Sequence, residues 1–333
     1  MTRLIPLMLV LASCPGDPTD ATDDPAPLTW SAALQDDDRG AFLMVWGPDG
    51  GDVWVVGGQP DAGVVLKGSA DNLQAVTVPE GTPLLNWVHG TTASDVWVGG
   101  LNGTVLHWDG SAWEDRSLEI DEAIWGVHAV SATEAWAVGG TSAWGGETAR
   151  IFHWQGGTWT PLDLPEVLED PGNLFKAHHD GTSLWACGLG GVVVRSNDGT
   201  SLEAIPTGFA ADIVTVHGMP GQKPIFVGGR GTGAVLEVDG DALTRTASAR
   251  SGLSGVHVYE AGSAGVVGER GFAGIYDIAS DEIVEVPVPT DDVLHGVFVD
   301  RSGQAWAAGG NLYTSGDSFL GSVWIGTFAE ENP

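Results

Sequence analysis

The chain has 333 residues, 43% of them hydrophobic, with 50 glycines, 15 tryptophans and two cysteines. Its 44 acidic side chains against 13 lysines and arginines give a formal charge of −31, which argues against nucleic acid and anionic lipid headgroups as partners, because both would be repelled. Two cysteines rule out a disulfide-stapled scaffold, and the length is ample for one large all-β domain.

In chain order, Met1-Thr2-Arg3 is a short basic stretch, and Leu4 to Ala12 is an apolar run too short to span a bilayer. The run ends Leu11-Ala12-Ser13-Cys14, which resembles the lipobox of bacterial lipoproteins. That resemblance implies removal of residues 1–13 and lipidation of Cys14, which would place the protein in a bacterial cell envelope. The competing reading is a plain secretory signal in which Cys14 falls by chance. Residues 14–27 read as a tether. Pro15 to Pro27 holds four aspartates, four prolines and no large apolar residue, so it cannot bury enough surface to offset its ordering entropy.

From residue 28 a pattern repeats. Val88 to Trp113 contains four short apolar runs, and Asn102-Gly103 and Asp109-Gly110 mark tight turns between them, where φ > 0 is needed. An aromatic ring ends the first run, and a bulky residue follows in the second. Seven pairs recur, the sixth with glycine in the second place: Trp46/Trp54, His89/Trp97, His128/Trp136, His178/Trp185, His217/Phe226, His257/Gly265 and Phe298/Trp306. Their first members are spaced by 43, 39, 50, 39, 40 and 41 residues, and the residue before each is valine, or alanine in the case of Ala177. A four-stranded unit at this period predicts an all-β, seven-bladed β-propeller of antiparallel blades over residues 28–329.

The seventh repeat offers first, second and third strands (Gly296–Val299, Ala305–Gly309, Ser322–Ile325) but no fourth. Residues 28–34, with Trp30 standing 16 positions before Trp46, match fourth strands elsewhere, such as Gly157-Thr158-Trp159. They are expected to complete blade seven, closing the ring and removing a sheet edge. Cys187 falls on a core position and is expected to be an unpaired, buried small hydrophobe.

The turn Ser196-Asn197-Asp198-Gly199-Thr200-Ser201 resembles a shortened Asp-box, with looser versions at Asp109-Gly110 and at Gln155-Gly156-Gly157. Over residues 28–326 the chain is similar to Asp-box (BNR)-like propellers of bacterial lipoproteins. Sialidases share this turn, and that resemblance would imply an arginine triad, a tyrosine with a glutamate, and an aspartate acid/base. Ten arginines and three tyrosines (Tyr259, Tyr276, Tyr313) do not assemble that set. Gly229-Arg230-Gly231-Thr232-Gly233 imitates a phosphate loop, but no helix follows, so it reads as a hairpin.

Five anchors are histidines, and by symmetry they form a ring that invites a transition-metal reading. Blades one and seven carry Trp46 and Phe298 there, so the position accepts an apolar ring. Imidazoles around a channel are also expected to stand too far apart for one ion. Packing is therefore the expectation, with no metal and no cofactor. Recognition is expected on the face shared by the 4→1 and 2→3 loops. That face collects acidic clusters (Asp36 to Asp38, Glu119 with Glu122, Glu166 with Glu169, Asp291 with Asp292) but no EF-hand spacing. It also carries Trp144, Arg230, Glu269 and Arg270, the candidate contacts for a protein or glycan ligand. The expectation is a monomeric interaction module rather than an enzyme, with an exported hydrolase or lyase at the channel mouth as the alternative.

Overall fold

The computed structural model describes residues 28–141, 148–168, 171–312 and 319–328; residues 1–27, with Cys14, and Trp144 lie outside them. Within them the chain folds into seven four-stranded antiparallel sheets. Their inner strands are Ala41–Trp46, Leu85–Thr92, Ala123–Ser131, Leu174–His179, Ile213–His217, Leu253–Glu260 and Val293–Val299. Each packs on the inner strand of the next blade, and the seventh packs on the first, so the blades stand in a ring.

All seven anchor pairs face each other across the first two strands, from Trp46 opposite Trp54 to Phe298 opposite Trp306. The second-strand rings form the blade cores: Trp54, Trp97, Trp136, Phe226 and Trp306 are all buried. In four blades the third strand lays a basic or imidazole side chain over that ring. Lys67 lies 4.8 Å from the Trp54 ring centroid and Arg195 lies 5.1 Å from that of Trp185. His107 stacks on Trp97 at 4.3 Å, and His153 stacks on Trp136 at 3.7 Å and 9°. Each tryptophan buries its large apolar area while a polar side chain covers its outer flank.

Ring closure follows the expectation, with a longer strand. Leu28–Asp37 pairs antiparallel with Gly321–Phe328, as the fourth strand beside the third of the seventh blade. It runs three residues past the expected end at 34 because two register shifts let Asp37 still reach Gly321, with Asp36 at φ 51°. Trp30 also ties this strand to blade six, its indole N–H donating to Val286 O at 2.7 Å. Trp159, which stands at the matching place in blade three, donates in the same way to Arg116 O of blade two at 2.6 Å.

Deleting residues 28–37 removes a ladder, the Trp30 bond and a buried flank, a loss of about 3 kcal/mol or more. The melting temperature should fall by roughly 6–12 °C, at 2–4 °C per kcal/mol, while deleting 15–26 should leave it unchanged. Equal melting of both truncations in calorimetry would contradict the shared blade.

Candidate functional site

Every inner strand carries a β-bulge at the same place. The register slips between Phe42 and Met44, Leu85 and Trp87, Ile124 and Gly126, Leu174 and Lys176, Ile213 and Thr215, Leu253 and Gly255, and Leu294 and Gly296. The skipped residue, three before each anchor, is Leu43, Asn86, Trp125, Phe175, Val214, Ser254 or His295. A bulge leaves one residue unpaired and re-aims its side chain. Here all seven line one cavity of about 480 Å³ at the loop-face end of the channel. The position before the anchor is almost uniformly valine, whereas the bulge position holds seven different residues. That contrast within the repeat was the available signal, and reading the strands as regular ladders missed it.

The cavity wall is mostly apolar, with Trp125, Phe175, Leu253, Val293 and Leu312 among its residues. Among the polar groups that break it are Asn86, Lys176 and His295. Asn86 is buried; its amide donates to Ile124 O at 3.0 Å, and its Oδ1 has no partner. Lys176 is buried too, with its Nζ donating to Trp125 O at 2.5 Å and standing 4.2 Å from the Trp87 ring centroid. Burial pulls the Lys176 amine down to about 7. His295 sits 3.3 Å from Gly310 O through Nε2, and burial lowers it to about 4, so the ring is neutral and donates that bond. Its Nδ1 is then an acceptor.

The rim is built from 2→3 loops. Arg230 pairs with Asp212 at 2.9 Å, and Glu269 accepts from the Gly231 N–H at 3.1 Å, which links blades five and six. Both residues line the cavity. Arg270 follows at φ 55° and is exposed outside the lining. Several expected acidic loops are partnered rather than simply solvated: Asp37 bonds Arg39 at 2.5 Å, Glu122 bonds Arg150 at 2.6 Å, and Asp292 accepts from Ser322 at 2.8 Å.

At the opposite end of the channel the histidines lie closer together than the sequence suggested. Ring centroids run 4.1 Å from His89 to His128, 5.0 Å to His178, 5.1 Å to His217, 4.4 Å to His257 and 4.9 Å to Phe298. The inner strands converge near the axis, so neighbouring rings touch, stacked between His89 and His128 and tilted or edge-on between the others, around a second cavity of about 380 Å³. The Nδ1 atoms of His89, His217 and His257 accept backbone N–H bonds of the next blade, from Ala129, Val258 and Val299 at 3.0, 3.0 and 3.3 Å. These lone pairs are spent on the ring itself. Among the described residues no group of three or more His, Cys, Asp or Glu side chains is disposed to hold a metal ion. Cys187 is free and buried, and burial pushes its thiol up to about 12.

The chain is a seven-bladed β-propeller. No protein-family model matches the sequence, and no curated protein matches it. Solved structures share the architecture. A streptogramin B lyase superposes with a TM-score of 0.70 at 13% identity, over 89% of this chain and 97% of that one. The WD40 β-propeller domain of Doa1 gives 0.67 at 11%, over 90% and 98%. YCF48 bound to D1 peptide gives 0.65 at 14%, over 91% and 97%. Identities this low establish the fold alone, and function must be argued from the site.

The histidine ring makes stability depend on pH. Burial lowers His89 to about 4 and His178 and His257 to about 3, and holds His128 and His217 well below the ordinary value. The unfolded chain therefore binds protons first as pH falls below about 6.5, and stability drops from there down to the folded values. As pH is lowered, the urea midpoint should fall steadily between about pH 6.5 and 4, after a separate fall above pH 7 that belongs to the buried Lys176 amine. His128→Phe, which copies the ring at Phe298, should make that fall shallower. An unchanged pH profile in the variant would show that the histidines do not govern acid stability.

Proposed function

We propose that this protein is an exported, lipid-anchored binding module of the bacterial cell envelope, taking a protein or glycan ligand at its loop face. The observation that carries the reading is the convergence of seven chemically different bulge side chains on one cavity, between rim residues Arg230 and Glu269. A repeat that holds its packing positions nearly constant while diversifying one channel-facing position is using the ring as a scaffold for recognition. In this reading residues 1–13 are the leader, Cys14 carries the lipid, 14–27 hold the domain off the membrane, and the propeller acts as a monomer. Two or more acyl chains give stable anchoring where one would not. Trp144, Arg230, Glu269 and Arg270 supply contacts, since aromatic and arginine side chains dominate binding energies.

The placement among Asp-box-like propellers draws support from turn geometry. Asp198 Oδ1 accepts from the N–H groups of Thr200 and Ser201, both at 2.8 Å, and Asp109 and Asp277 cap the matching hairpins in the same manner. These bonds hold the Asp198 carboxyl far below its ordinary range. The device locks hairpins between third and fourth strands, on the face away from the cavity.

A second reading, an exported hydrolase or lyase, rests on a different observation: Lys176, His295 and Glu269 all line the one cavity. It differs in requiring turnover of the bound ligand.

Full-length protein from envelope membranes tests the first reading. Trp144→Ala with Arg230→Ala should weaken partner capture tenfold or more, about 1.4 kcal/mol, with melting unchanged. Asp109→Ala with Asp198→Ala should leave capture intact, and Cys14→Ala should release the protein from the membrane. Loss of capture only in the opposite-face pair would place the site on the wrong face.

A further inference from the structure

Lys176 is a buried amine without a counter-ion. No carboxylate among the described residues lies within ion-pair distance of it, and its partners are one carbonyl oxygen and the face of one indole. An ammonium group has three donors to satisfy, and burying a charge is costly unless it is paired. Asn86 lines the same cavity: its amide holds Ile124 O while Lys176 holds Trp125 O, so the two side chains bond consecutive carbonyls of the blade-three bulge. The Asn86 Oδ1 atom is buried and unpartnered. An orphaned acceptor in a residue only 2% exposed is rare in a native fold, and it asks for an N–H or O–H donor.

The cavity is thus lined by an amine with no carboxylate partner among the described residues, by a residue whose acceptor has no partner, and by the aromatic walls of Trp125 and Phe175. We infer that it binds the carboxylate end of an N-acylated apolar amino acid, either as a small molecule or as the C-terminus of a peptide. The carboxylate pairs with Lys176, the ligand's amide N–H donates to Asn86 Oδ1, and the apolar side chain lies against Trp125 and Phe175. A cavity of about 480 Å³ accommodates one such residue. The amine, lowered by burial to about 7, agrees with this: a bound carboxylate favours the charged form and draws the proton on. This inference rests on the binding reading above and adds the chemistry of the ligand.

N-acetylphenylalanine and its primary amide are the probes, titrated into the full chain by calorimetry at pH 6.5. The acid should bind at least tenfold more tightly than the amide, a comparison that needs no variant. Lys176→Met and Asn86→Leu should each weaken the acid by tenfold or more. Saturation with the acid should raise the Lys176 amine by more than one pH unit, read by NMR on labelled lysine in the wild-type protein. A tripeptide ending in phenylalanine that outbinds the acetylated residue identifies a peptide terminus as the source; the reverse order identifies a small acid. Equal binding of acid and amide, or a Lys176 amine unmoved by ligand, would overturn the inference. Absent binding of every probe, with envelope capture intact at the loop face, would overturn it while leaving the binding reading in place.

Discussion

Val45, Val88, Val127, Val216, Val256 and Val297 precede their anchors and are all buried, each packed between its own blade and the one before it. Those contacts fix how closely the inner strands can approach, and close approach is what a seven-fold ring requires. A Cβ on Gly126 would lie 2.7 Å from Phe175 O, so glycine there is a condition of the spacing. Once packing fixes the strands on both flanks, the one residue released by each bulge has only the channel to enter. The same constraint that closes the ring therefore creates the cavity.

Charge is distributed in a consistent way. Among the described residues many acidic side chains stand in turns and at strand ends, where aspartates cap hairpins and pair with the few arginines. The channel interior is nearly neutral, because burial strips the proton from each histidine of the ring and from His295. Against that background Lys176 stands out among the described residues as an amine held in the wall without an acid. At the histidine mouth the Nδ1 lone pairs of His89, His217 and His257 are drawn into backbone bonds between blades, while both ring nitrogens of His178 are buried without a hydrogen-bond partner. Among the described residues, what sets the loop-face mouth apart is the combination in one wall of Lys176 without a carboxylate, the unpartnered Asn86 Oδ1 and the aromatic Trp125 and Phe175.

Much of this fold was legible in the sequence because its signals are local. Asn-Gly and Asp-Gly turns, period-two strands and a bulky residue seven to nine positions after each anchor but the sixth specify hairpins directly, and all seven pairs meet in register. Closure by residues 28–34 was legible as well, since an open blade edge needs a partner. The continuation to Asp37 was not, because two bulges break the alternation that marks a strand. The touching histidines were missed for a geometric reason: spacing along the chain says nothing about how the strands converge at the axis. Arg230 and Glu269 were found by their loop, but Asn86 and Lys176 were not, since Leu174-Phe175-Lys176-Ala177 resembles any half-exposed strand. Their meaning rests on a register slip, which is a property of pairing and not of composition.

The central claim is that the loop-face cavity, and not the histidine mouth, is the ligand site. Crystals of residues 28–329 soaked with a diverse fragment library test it directly. The account predicts fragment density against Trp125 and Phe175, with acidic fragments placing an oxygen on Lys176 Nζ. Fragments gathering instead within the ring of His89, His128, His178, His217 and His257, with the loop-face cavity empty, would contradict it.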